Sequence, residues 1–98
     1  MTKSDLIERI AERNEHISKK DIEVVVNTIF NSMRDALVEG DRIEIRGLGS
    51  FSVKTREARD GRNPKTGESV ALPIRRVPYF KVGKELRERV DSEIDDED

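Results

Sequence analysis

The chain has 98 residues, 34% of them hydrophobic against 41% charged, so a single domain with a thin core is expected, and a dimer sharing one core is the natural remedy. With no cysteine and one histidine, His16, there is no disulfide framework, no thiolate nucleophile and no zinc ligand set. The net charge of -2 averages unlike segments: residues 1–52 hold 8 Lys/Arg against 10 Asp/Glu, residues 53–90 hold 11 against 5, and residues 91–98 hold 6 acids and no base.

The middle segment is therefore strongly basic, and a mobile acidic tail would leave the folded part with a basic surface despite a pI of about 5.5. The opening Met1-Thr2-Lys3-Ser4-Asp5 lacks the apolar run of a signal peptide, and no stretch reaches membrane-spanning length. A soluble, cytoplasmic protein with no membrane partner is expected.

Thr2 with Asp5 three residues on reads as a helix start, and Leu6, Ile7, Ile10 and Ala11 follow as an apolar stripe, predicting a short helix that ends near Asn14. Ser18 with Asp21 repeats the signal. From there Ile22, Val25, Val26, Ile29, Phe30, Met33, Ala36 and Leu37 recur at helical steps up to Gly40, predicting a second helix of about 20 residues. Its apolar band is wide enough for the first helix on one side and a partner subunit on the other; an ordinary intrachain core explains the pattern equally well.

Arg42-Ile43-Glu44-Ile45-Arg46 alternates as a half-buried strand does, and Gly47-Leu48-Gly49 turns it into Ser50-Phe51-Ser52-Val53. Beyond Val53 the alternation stops. Lys54 to Arg62 would extend about 30 Å at roughly 3.3 Å per residue, against a radius of gyration of about 13 Å for such a domain. The leg therefore leaves the body. On the return Val70, Leu72 and Ile74 alternate, while Pro73 cannot donate to a ladder and suits an edge. Val77-Pro78-Tyr79-Phe80-Lys81 leads back to the body, and a third helix is predicted from Gly83 to Val90 with Leu86 and Val90 facing inward. The acidic stretch 92–98 is expected to be disordered.

Lys54, Arg56, Arg59, Arg62, Lys65, Arg75 and Arg76 make this arm a phosphate-neutralising surface, because each cation that meets a phosphate releases condensed counterions. The bland alternative is a hairpin kept soluble by its charge. At the tip, Gly61-Arg62-Asn63-Pro64-Lys65-Thr66-Gly67 fits a tight turn preset by Pro64 and opened by Gly67. It fits equally a wedge, a rigid ring with no N–H to satisfy, inserted between base pairs while Arg62, Asn63 and Lys65 meet the minor groove. The two readings are compatible.

Arg42-Ile43-Glu44-Ile45-Arg46-Gly47-Leu48-Gly49-Ser50-Phe51, the Gly61 to Gly67 tip, Val77-Pro78-Tyr79-Phe80-Lys81 and Gly83-Lys84-Glu85-Leu86-Arg87 together resemble the HU and integration host factor family of bacterial nucleoid proteins, over residues 1 to about 91. The resemblance implies an α+β fold: an intertwined dimer with a helical base, a three-stranded antiparallel sheet and long protruding β-ribbon arms, one domain over 1–91 with the arm at about 54–76. It implies double-stranded DNA, gripped in the minor groove and bent, as the partner, with no cofactor. By position Pro64 becomes the intercalating wedge, with Arg56, Arg59, Arg62, Asn63, Lys65, Arg75 and Arg76 on the arm. Lys3, Ser4, Arg42, Arg46, Lys81, Lys84 and Arg87 form the DNA-binding set on the body, Arg46 as a groove contact.

Ile45-Arg46-Gly47 and Met1-Thr2-Lys3-Ser4 point to the heterodimeric branch, whose partner would be an alpha-type subunit of integration host factor; an HU-like homodimer with little sequence preference is the alternative. Three features depart from the family pattern. Val82 stands where a proline is usual, which loosens the approach to the last helix, Asp60 sets an acid beside the tip, and the acidic tail is an extension. An enzyme has nothing to work with, since His16 stands alone in an interhelical turn and the carboxylates are spread over helix faces. A protein-interaction module that adds the arm as a strand to another sheet is the rival from a different class.

Overall fold

The computed structural model describes residues 1–57 and 59–92, with Arg59 placed by its backbone. It divides into two units, the first spanning Met1–Ala36 and the second beginning at Leu37.

In the first unit, helix α1 (Lys3–Arg13) begins at a reciprocal cap. The Thr2 hydroxyl accepts the Asp5 N–H at 3.1 Å and the Asp5 carboxylate accepts the Thr2 N–H at 2.9 Å, satisfying two donors that the helix cannot. Helix α2 (Lys19–Val38), whose last two residues belong to the second unit, starts behind Ser18, whose hydroxyl accepts the Asp21 N–H at 3.1 Å. Ile7, Ile22 and Val26 are buried between the helices, with Leu6, Ile10, Ala11 and Phe30 packed around them. Lys19 pairs with Glu8, and the hydrogen bond and then the charge of that carboxylate raise the ammonium pKa, although the pair is open to water and adds little stability.

The wide apolar band of α2 is thus only half covered within one chain. Ile22 and Val26 are 3% exposed, whereas Val25 and Ile29, one step round the helix, are 56% and 51% exposed. Two exposed aliphatic residues four positions apart form a stripe of their own. Among the described residues only three are buried, too few to sustain a fold of this size alone.

In the second unit, β1 (Ile43–Ile45) turns back into β2 (Gly49–Arg56), which continues outward. A short hairpin of β3 (Arg59–Arg62) and β4 (Ser69–Leu72) follows, and β5 (Arg75–Val82) returns along β2. The result is the expected three-stranded antiparallel sheet, in the order β1-β2-β5, with β3-β4 as a separate two-stranded ladder. Phe51 lies opposite Phe80, their ring centroids 4.8 Å apart. Gly49, at φ 152°, stands where both neighbours pass closely: a Cβ there would lie 2.4 Å from the Lys81 carbonyl oxygen and 2.9 Å from the Phe80 ring. Only glycine fits.

Helix α3 (Lys84–Ser92) is held at its start by the Gly83 N–H, which donates to the Leu48 carbonyl at 3.0 Å. Val82 ends β5 opposite Gly49 and is half-buried. Leu86 is half-buried, but Val90 is 62% exposed and does not face inward as its helical spacing suggested, because none of the described residues covers it. Ser92 still belongs to α3, and the rest of the predicted disordered tail, 93–98, lies outside the described residues. No helix among the described residues is long and apolar enough to cross a membrane.

Candidate nucleic-acid interface

Alternation along paired strands divides the sheet into two chemically different faces. Ile43, Ile45, Phe51, Val53, Pro78, Phe80 and Val82 share one face through the pairs Ile43↔Phe51, Phe51↔Phe80 and Val53↔Pro78. The other carries the pairs Ser50↔Lys81, Ser52↔Tyr79, Lys54↔Val77 and Arg56↔Arg75. It is polar and basic. Lys54 sets its ammonium 3.5 Å from the centre of the Tyr79 ring, a cation–π contact that holds the charge against the sheet surface. Arg56 and Arg75 sit directly opposite one another and both are exposed, an arrangement that like charges disfavour unless an anion comes between them.

Beyond that pair the ladder stops and then resumes. Arg59 pairs with Leu72 and Arg62 with Ser69, so each leg spends two residues on the interruption and neither gains one on the other. Pro73, with no N–H, stands in the gap on the return leg. Thr55, Arg56, Glu57, Leu72, Pro73 and Arg75 line an open cleft of about 680 Å³ there. Asp60, in β3 opposite Ala71, is exposed beside the basic residues.

The tip is built from its own backbone. The Asn63 N–H donates to the Glu68 carbonyl at 2.8 Å, the Gly67 N–H to the Asn63 carbonyl at 2.7 Å, and the Lys65 N–H to the Asn63 side-chain oxygen at 2.9 Å. Asn63 therefore spends its carbonyl on the turn and keeps only its amide N–H groups for a partner. Gly67 has φ 75°, and its Cβ position is open, so the backbone rather than space demands glycine. Arg62, Pro64 and Lys65 are exposed around this turn. The bonds that shape the turn leave the Pro64 ring exposed.

On the body, Arg46 lies in the turn after β1, exposed and without an ion-pair partner among the described residues. It borders a recess shared with Glu44, Ile45 and Gly49. Arg42 is engaged with Glu44, Nε to carboxylate at 3.0 Å. Lys81 extends the basic face of the sheet, while Lys84 and Arg87 stand exposed on α3, Lys84 4.0 Å from the Glu88 carboxylate. Lys3 and Ser4 belong to the first unit, in the first turn of α1, where the Lys3 ammonium donates to the Asn27 side chain at 2.7 Å.

Arg76 differs from the other arm cations. It pairs with Thr55 on the face of Phe51 and Phe80, and its guanidinium donates to the Val38 carbonyl at 3.2 Å. Arg59 is placed by its backbone alone, opposite Leu72. Sequence reasoning did not find the Lys54–Tyr79 stack or the Arg42–Glu44 pair as parts of this surface. The i, i+2 spacing on one strand face could have signalled the second; nothing local signals the first, which depends on register.

Residues 1–91 match the family model described as bacterial DNA-binding protein. The chain is 60% identical over 97 residues to integration host factor subunit beta of Saccharophagus degradans, covering 99% of both chains. It is 58% identical over 96 residues to integration host factor subunit beta of Teredinibacter turnerae, covering 98% of both. Among solved structures it is similar to HU in the Anabaena HU–DNA cocrystal structure, with a TM-score of 0.80 and 39% identity over 92% of this chain and 97% of that one.

Proposed function

The chain belongs to the bacterial DNA-binding protein family, and from that premise we propose that it is a beta-type subunit of integration host factor, acting in the cytoplasmic nucleoid. In this reading it pairs with an alpha-type subunit and bends duplex DNA from the minor groove. The observation that carries the reading is the tip: a turn closed by its own backbone, with Pro64 and two cations exposed, at the end of a ribbon whose polar face is basic. Relatives named integration host factor subunit beta cover nearly the whole chain, and an HU relative has been crystallised with DNA.

The chemistry divides among three groups of residues. Lys54, Arg56, Arg62, Lys65, Arg75 and Lys81 neutralise phosphates along the ribbon and sheet, giving salt-dependent affinity that reads no sequence. Pro64 enters a base step, and because it has no N–H it leaves no donor stranded in the stack. Unstacking costs about a few kcal/mol and is offset by the surface that bent DNA wraps, the general behaviour of minor-groove wedges, HU and integration host factor among them. Arg46, without an ion pair among the described residues and beside the Arg42–Glu44 pair, is the groove contact of the body, and Lys3, Ser4, Lys84 and Arg87 serve as phosphate ligands.

Dimerisation follows from the uncovered stripe of Val25 and Ile29 and from the exposed Val90, which a second subunit would bury. One preparation tests the whole proposal. The chain is purified alone and with an alpha-type subunit, its mass is measured in solution, and short duplexes with fluorophores at both ends report bending by energy transfer. Bending by the mixed dimer is expected; a well-behaved homodimer that bends equally well would overturn the pairing, and no bending by either would overturn the mechanism.

A further inference from the structure

Helix α2 carries no basic residue in its last turn, and Glu39 and Asp41 follow it. Its final carbonyls are short of donors, as at every helix end, and the negative end of its dipole lacks the customary cation. Arg76, 38 residues further along the chain, supplies both: its guanidinium donates to the carbonyl of Val38, the last residue of α2, at 3.2 Å. That arginine lies on β5, one pair nearer the body than Arg56↔Arg75, where the exposed ribbon leaves the sheet. Alternation puts it on the face opposite the Lys54, Arg56, Arg75 and Lys81 row, away from the phosphates those residues would meet.

We propose that Arg76 is a positioning residue, which fastens the root of the arm to the end of α2 and so sets where the arm starts, rather than a phosphate contact. The inference rests on the DNA-bending reading above for its consequence, but the bond itself can be tested without DNA. Releasing the root leaves every phosphate-binding side chain in place while the arm loses its fixed departure point, so affinity and bending change and the number of phosphates met does not.

The full-length dimer is prepared as wild type, Arg76→Ala, Arg76→Lys and, as the phosphate-contact comparison, Arg56→Ala. In free protein, exchange of the ladder-bonded amides among residues 54–56 and 75–77 should quicken about fivefold in Arg76→Ala, the factor for losing a net bond of about 1 kcal/mol, and should be largely restored in Arg76→Lys, which keeps a donor and the charge. With DNA, Arg76→Ala should lower the end-to-end energy transfer of saturated duplexes and keep the wild-type slope of log affinity against log salt, whereas Arg56→Ala should lose about 0.9 from that slope. Unchanged exchange at the arm root would overturn the inference whatever happens with DNA. A slope reduced by about 0.9 in Arg76→Ala with wild-type bending would overturn it in favour of a phosphate contact. Absence of bending by the wild type would instead count against the DNA-bending reading and leave the exchange result to decide the bond.

Discussion

Arg56 and Arg75 provide the sharpest test of the basic face, because one register pair makes opposite demands on the free and the bound protein. Free, two guanidinium groups face each other across neighbouring strands, which costs on the order of 0.2–1 kcal/mol for like charges directly opposed. In the proposed complex, each meets phosphate. Replacing both with Gln should therefore make the free dimer slightly more stable and its DNA complex weaker. If each contact contributes about 0.9 to the slope of log affinity against log salt, the double variant loses about 1.8. A fourfold rise in salt, from 50 to 200 mM, then weakens the variant about 12-fold less than the wild type. Titration of a fluorescent duplex at four salt concentrations measures the slope, and thermal unfolding without DNA measures the stability. A wild-type slope in the double variant would refute the placement of these arginines on phosphates, and a clear loss of free-state stability would refute the repulsion.

Pro64→Ala should keep most of the affinity while reducing energy transfer across a short duplex, since the cations remain and the wedge is gone; equal bending would contradict the wedge. Gly49→Ala should destabilise the fold by on the order of 2–4 kcal/mol, because the new carbon collides with a backbone carbonyl that only a shift of β5 can relieve. A chemical-denaturation midpoint within experimental error of wild type would show that the strands yield easily. Val25→Asp with Ile29→Asp should abolish the dimer in sedimentation, as both positions are more than half exposed in one chain and need a partner to be buried. A dimeric mass retained by that variant would move the interface elsewhere.

Local chemistry was legible in the chain wherever cause and effect lie within a few residues. Thr2 with Asp5, and Ser18 with Asp21, announced the starts of α1 and α2, and the cap bonds form as their spacing requires. The end of apolar alternation after Val53 marked where β2 leaves the body, and Lys54, Thr55 and Arg56 are exposed there. What escaped depends on residues distant in sequence. Val90 has helical spacing from Leu86, but periodicity says which residues share a face and not whether anything covers it. Arg76 read as one more arm cation because its partner, a backbone carbonyl 38 residues away, has no sequence signature. Pro73 signalled an interruption in the ladder, yet the preserved register beyond it could be known only from the pairing itself.

That interrupted ladder has a consequence for how the arm can move. The equal count on both legs keeps the outer hairpin in register with the inner one and forbids it to slide. A slide of one residue would turn every outer side chain to the opposite side of the ribbon. Within the outer ladder the same alternation sets Asp60 and Arg62 on one face. The register of the two ladders thus decides which charges the arm presents together.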